Sequence, residues 1–239
     1  MNPSLELTSS RRLAYFLMAL LVVRAVIDAD VVRRDYETAK LIQQTISGSL
    51  QPGGTTLDEN TQQRIEQISR ENAVAKSWYM LVVFPLPVLF LFFVFRARKN
   101  FEFLNVKNPE FSPTWAVSWF LIPFLNMIRP YAVMTEIWRA SDPACLDELE
   151  WKRAAVSPLL LVWWLLFVFA FFGRPMIMVV LSKGSVEAVG GIMSASIWLQ
   201  ALAVPAAFLA IYVVRQIEMR QSEKYRQLVM KGAFNSSIA

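Results

Sequence analysis

The sequence predicts an all-α membrane protein: a polytopic helical bundle of four transmembrane helices, with a broken interfacial or re-entrant helix and an extramembrane helical hairpin. Three observations carry that prediction. Of 239 residues, 55% are hydrophobic, with 17 Phe and 8 Trp, and they cluster in long runs rather than recurring at helix or strand spacing. The basic residues gather at the ends of those runs, where they set topology and meet anionic headgroups. Finally, the stretch between the second and third runs is too apolar for an ordinary loop and too polar for an ordinary membrane span.

Residues 1–95 hold the first span, an extracytoplasmic helical hairpin and the second span. Arg11 and Arg12 precede an apolar run at 13–23 that Arg24 interrupts and that continues to Val32. The basic start and short apolar centre also fit a secretory signal, but Asp28 and Asp30 stand where a small-residue cleavage site belongs, so a first transmembrane helix is the better reading. Arg24 and Asp28 are four apart and share a helix face, which allows them to pair. Charges at that depth are costly unless paired or turned inward, so the two either close an ion pair near the outer interface or line a polar path.

Val32, Tyr36, Ala39, Ile42, Ile46 and Leu50 recur at steps of three and four, so the helix should run on out of the membrane. Gln51, Pro52, Gly53 and Gly54 break it, and Thr56 or Asp58 can cap a second arm with a weak apolar stripe at Ile65, Ile68 and Val74. The result is an antiparallel helical hairpin, either a docking arm for a partner or a spacer whose stripe serves only its sister helix. The second span covers residues 78–95, kinked by Pro85 and Pro87, and ends at Arg96, Arg98 and Lys99.

Residues 96–153 form a Trp- and Pro-rich segment on the cytoplasmic side. Ser112 and Pro113 give a helix-start signal: a hydroxyl to accept an orphan amide, then a residue with no amide to leave unsatisfied. Residues 115–128 are only fourteen, whereas a crossing helix needs about 20. Pro123 and Pro130 predict breaks near 120–126 and again near Arg129, with a second helical piece over 131–140 that ends at Asp142-Pro143. This broken element either dips into the cytoplasmic leaflet or lies along its interface with Trp115, Trp119 and Trp138 at headgroup depth. Pro113, Trp115, Trp119, Pro123, Pro130, Tyr131 and Trp138 are its expected packing residues.

Residues 154–214 hold the third span, 154–172, and the fourth, 192–214. Gly173, Arg174 and Pro175 should stop or bend the third, and Gly184, Gly190 and Gly191 bracket a loop. Gln200, at mid-depth of the fourth span, should hydrogen-bond to another helix. Residues 215–239 are a basic tail with Ile217, Tyr225, Leu228 and Val229 on its apolar side, lying on a membrane surface or extending the last helix. With four spans and both termini inside, fifteen Lys and Arg face the cytoplasm against eight outside, as the positive-inside rule requires.

The central run resembles a known family. SPTWAVSWFLIP at 112–123, then Asn126, Arg129-Pro130-Tyr131, Met134 and EIWRAS at 136–141, with Arg98 and Asn100 upstream, is similar to the domain of unknown function 4328 family of bacterial multi-pass membrane proteins. The resemblance covers roughly residues 75–215 and implies a multi-pass inner-membrane architecture. Ser118 stands where the family is expected to favour Gly. No activity comes with that family.

Chemistry is sparse. The chain has no His and one cysteine, Cys145, so it lacks the commonest ligand of haem, zinc and copper sites and cannot close an internal disulfide. Cys145 has no imidazole to activate it and reads as a small surface residue. No cofactor or metal site is expected, and the net charge of +5 belongs to lipid headgroups rather than nucleic acid. A polar site would have to use Asn100, Asn126, Arg129, Glu136 and Arg139; Asn126 to Arg129 and Glu136 to Arg139 are each spaced for same-face contact on a helix. The leading expectation is a non-enzymatic subunit or scaffold that binds the bilayer and other membrane proteins or itself. The alternatives are a small transporter or channel with a broken-helix site, and an intramembrane lipid-modifying enzyme.

Overall fold

The computed structural model describes residues 3–49, 59–181 and 195–238, and every regular element among them is helical. The helices are α1 (Pro3–Ser49), α2 (Glu59–Val83), α3 (Pro85–Lys99), α4 (Pro113–Ser118), α5 (Arg129–Ala140), α6 (Pro158–Leu181) and α7 (Ala203–Ile238). Short 3-10 turns lie at Asn100–Glu102, Leu125–Met127 and Glu150–Arg153, and residues 195–201 are helical ahead of a turn at Leu202. Among the described residues, two helices are long and apolar enough to cross a membrane, Tyr79–Glu102 and Ala195–Gly232, and Pro158–Gly173 is a shorter apolar one.

Several local expectations meet their outcome here. Helix α1 is continuous for 47 residues, far past the about 20 that a crossing needs, because neither Gly nor Pro interrupts it before Gly48. Pro85 and Pro87 act at one point: Phe84 is a turn residue between α2 and α3, and its amide still reaches Met80 O at 3.1 Å. Gly173, Arg174 and Pro175 do not stop α6, which runs 24 residues through them. The hairpin turn with Gln51, Pro52, Gly53, Gly54, Thr56 and Asp58, and the loop glycines Gly184, Gly190 and Gly191, lie outside the described residues.

The chain divides into two compact units. The first takes residues 1–21, 85–164 and 208–239, and packs Leu17, Val94, Phe101, Leu104, Met134, Ile137, Leu160, Val213 and Ile217 as its core. Burying side chains of that size contributes about 1.5–3 kcal/mol each. Aromatic rings support this core: Phe90 lies 5.9 Å from both Phe120 and Trp163, and Trp138 lies 6.4 Å from Tyr212.

The second unit takes residues 22–84 and 165–207. Within it α1 and α2 run antiparallel: the Arg24 guanidinium sits 5.2 Å from the Tyr79 ring centroid, and ten residues further along α1, Arg34 reaches Glu71 at 3.9 Å. Arg24 pairs with Asp28 at 2.6 Å, and Gln200 Nε2 donates to the other Asp28 oxygen at 3.3 Å. The mid-helix amide therefore has the cross-helix partner its position demands. A Cβ on Gly173 would stand 3.0 Å from the Leu199 side chain, so glycine allows the close approach there.

Candidate functional site

The central motif is built in the first unit. Ser112 is the N-cap of α4, its hydroxyl accepting from the Trp115 amide at 3.3 Å with Pro113 in the first turn. Helix α4 ends after six residues, and the chain turns through Pro123 and Phe124, the latter at φ 63°. Pro130 does not break a helix but starts one: α5 begins at Arg129, where a proline's missing amide costs nothing.

Three polar ties hold this motif to the rest of the unit. In the first, buried Arg98 at the end of α3 donates from Nε to Phe111 O at 2.6 Å and stands 3.5 Å from Glu136 Oε1 on α5. Its guanidinium also lies 4.5 Å from the Phe101 ring centroid. The other Glu136 oxygen accepts the Glu110 amide. Burial pushes the Glu136 carboxyl above the usual carboxylate range, outweighing the Glu110 amide and the Arg98 charge, which pull it down.

In the second tie, Asn100 Nδ2 donates to Gln221 Oε1 on α7 at 2.8 Å, and Gln221 Nε2 donates to Ala97 O at 2.9 Å and Ser141 Oγ at 3.1 Å. Ser10 on α1 completes the set at 3.4–3.5 Å from Asn100. In the third tie, buried Lys224 donates from Nζ to Ala140 O at 2.9 Å, so its ammonium caps the last residue of α5, where a helix dipole favours a cation. Nearby, Arg220 pairs with Asp142 at 2.7 Å and lies 4.7 Å from the Trp138 ring centroid. Arg11 pairs with Glu218 at 2.7 Å beside a cavity of about 10 Å³, room for one water.

The five residues expected to make a polar site are therefore dispersed among separate contacts. Asn100 and Glu136 are buried in the first two ties. Arg129 is exposed, with its guanidinium 5.1 Å from the Trp119 ring centroid, while Asn126 Oδ1 is buried without a hydrogen-bond partner. Arg139 Nε is likewise without one, and Glu136 turns to Arg98 rather than to Arg139. Of the expected packing residues, Pro130 and Trp138 are buried, Pro113, Trp119 and Tyr131 are half-buried, and Trp115 and Pro123 are exposed. Cys145 is half-buried, and burial pushes its thiol up.

A family model described as Domain of unknown function (DUF4328) matches residues 58–219. The chain belongs to this family. No curated protein and no solved structure matches it. The DUF4328 region contains Arg98, Asn100, Glu136 and Ser141, but Ser10, Gln221 and Lys224 lie outside it. These outside partners are the ones that motif reasoning missed. A signal for them exists: Val214, Ile217, Gln221 and Lys224 follow helical spacing, so the two polar residues sit on an apolar stripe.

Among the described residues, no group of three or more His, Cys, Asp or Glu side chains is placed to hold a metal ion. What the arrangement does chemically is fix α4, the turn and α5 against α3, α1 and α7.

Proposed function

We propose that this DUF4328 protein crosses a bacterial inner membrane four times with both termini in the cytoplasm, and acts there as a non-enzymatic subunit that binds other membrane proteins or itself. Helix α1 supports the crossing. Between residues 15 and 26 it exposes the large apolar side chains Tyr15, Phe16, Val22, Val23 and Val26, while Asp28 is buried, as suits a helix with one face on lipid. Helix α6 exposes Leu161, Leu165, Phe167, Phe169 and Phe171 in the same way. The fifteen-to-eight division of basic residues supports the orientation.

One observation carries the subunit reading. On the hairpin arms, the stripe residues Tyr36 and Val74 are 62% and 60% exposed, so the sister arm does not cover them. Two large apolar side chains left open on the arms, beside the half-buried Val32, Ala39 and Ile68, favour docking of another protein there. The motif's Asn100, Arg98 and Glu136 are engaged in structural contacts, which favours a positioning role over catalysis.

Isolation of the full chain from native membranes in polymer nanodiscs tests this. A stoichiometric partner or a defined homo-oligomer, lost on Tyr36→Ser with Val74→Ser, is expected. A lone monomer would overturn the reading. Independently, alkaline phosphatase fused after Lys231 should be inactive; an active fusion would place the tail outside and remove the four-span layout.

A further inference from the structure

We infer that residues 119–129 form a re-entrant element that binds an anionic phospholipid of the cytoplasmic leaflet, with the headgroup phosphate on Arg129 where it lies over the Trp119 ring and an acyl chain along Phe124 and Ile128. The inference deepens the membrane reading above and rests on its four-span layout.

Two helices serve as depth rulers. Phe90 precedes the basic end of α3 at Arg96 by six residues, and Trp164 follows the start of α6 at Pro158 by six, each about 9 Å of helix. Phe120 meets both, 5.9 Å from Phe90 and 6.3 Å from Trp164, and Trp164 Nε1 donates to Met127 O at 3.2 Å. Phe120 and Met127 thus lie about 9 Å below the charged edge, roughly a third of a hydrocarbon layer about 30 Å thick.

Its backbone suits that depth. Irregular chain in lipid survives only where its amides are satisfied internally. Here six of the eight amides from Phe120 to Ile128, those of Phe120, Leu121, Leu125, Asn126, Met127 and Ile128, donate to carbonyls of residues 117–125 at 2.8–3.3 Å, while those of Ile122 and Phe124 do not. The bond from the Leu125 amide to Pro123 O closes a γ-turn at Phe124 with positive φ, a conformation that costs a non-glycine residue about 1 kcal/mol or more. That strained turn points an apolar ring outward: Phe124 is 84% exposed and Ile128 71%. Side chains this greasy at a tight turn make sense against acyl chains.

The polar end complements a phosphate. Arg129 has no carboxylate partner among the described residues and is held on the Trp119 ring. The Trp119 Nε1–H is itself buried, so the donors that face outward are those of the exposed guanidinium, which lies on the indole ring. The cytoplasmic leaflet carries the anionic lipid that such donors attract.

The test uses the full chain in detergent with added phosphatidylglycerol, read by native mass spectrometry. A one-lipid adduct is expected, weakened about tenfold by Arg129→Gln, equal to about 1.4 kcal/mol, and unchanged by Lys152→Gln, another exposed base lying on a tryptophan. Excess inorganic phosphate should not displace it. Equal binding by the Arg129 variant, equal loss with Lys152→Gln, or displacement by free phosphate would overturn the site. Depth is read separately by a spin label on Phe124→Cys in a Cys145→Ser chain in nanodiscs, where oxygen should relax the label more than a water-soluble nickel chelate. Preferential relaxation by nickel removes the re-entrant placement while leaving the result of the C-terminal fusion untouched.

Discussion

Gln221→Leu tests whether the second polar tie holds the motif in place. The substitution keeps the volume of the side chain and removes three hydrogen bonds, to Asn100, Ala97 O and Ser141. Ser141 Oγ keeps its 2.6 Å bond to Ile137 O, and Asn100 Nδ2 keeps only a 3.4 Å contact with Ser10. The loss is therefore two well-orphaned groups, Asn100 Nδ2 and Ala97 O, at about 1–3 kcal/mol each, and one bond of about 1 kcal/mol. The neighbouring cavity admits a water that recovers part of this, which leaves about 3 kcal/mol. Reversible unfolding of the purified chain in mixed micelles, titrated with denaturing detergent, measures it. In a double-mutant cycle Asn100→Leu should cost much less in the Gln221→Leu background than alone, because replacing both partners leaves nothing buried and unpaired. A loss below about 1 kcal/mol, or strict additivity, would refute the reasoning.

Asp28→Leu should cost about 3–5 kcal/mol by stranding Arg24, while the double change Arg24→Met with Asp28→Leu should recover most of it, since a buried pair stabilises little over well-packed apolar groups. The same unfolding assay reads both, and no recovery would mean that the pair has a further role. Glu136→Gln should flatten a pH dependence. Because the folded state holds its proton to higher pH than the unfolded chain does, the wild type loses stability relative to the variant as pH rises from the ordinary carboxylate range through the elevated value, by at most about 1.4 kcal/mol per pH unit. An unchanged difference between the two proteins across that window would show that burial does not dominate at this carboxyl.

The helices and their punctuation were legible because the signals are local. Ser112 before Pro113 caps α4, and Pro130 stands in the first turn of α5, which it starts rather than breaks. Arg24 pairs with Asp28 because four residues along one helix already set the distance. Pairings between distant segments were legible only as a need. Gln200 at mid-helix demanded a partner, but nothing in its neighbourhood points to Asp28, 172 residues away. Where spacing suggested Glu136 with Arg139, the fold offered the Arg98 guanidinium and the Glu110 amide, both from outside the helix. Gly173 and Pro175 read as a stop because proline costs a helix its amide, yet α6 continues, since a proline can be tolerated in a helix whose neighbours support the backbone.

The tail shows why the rest stayed hidden. A pattern reading turns Gln and Lys outward and Val inward, but α7 buries Gln221 and Lys224 and exposes Val229. In water that would be a poor exchange. Next to a membrane the logic differs, because an apolar helix face gains about as much from lipid as from another helix and so specifies no particular neighbour. On the four-span layout proposed above, a fourteen-residue element that does not cross has no topology to hold it either. Its place has to be written in hydrogen bonds, which lipid cannot supply, and that is where Asn100, Gln221, Arg98, Glu136 and Lys224 are spent. The family region ends at 219, two residues before Gln221, so the clamp that seats the motif is completed by chain outside the family match.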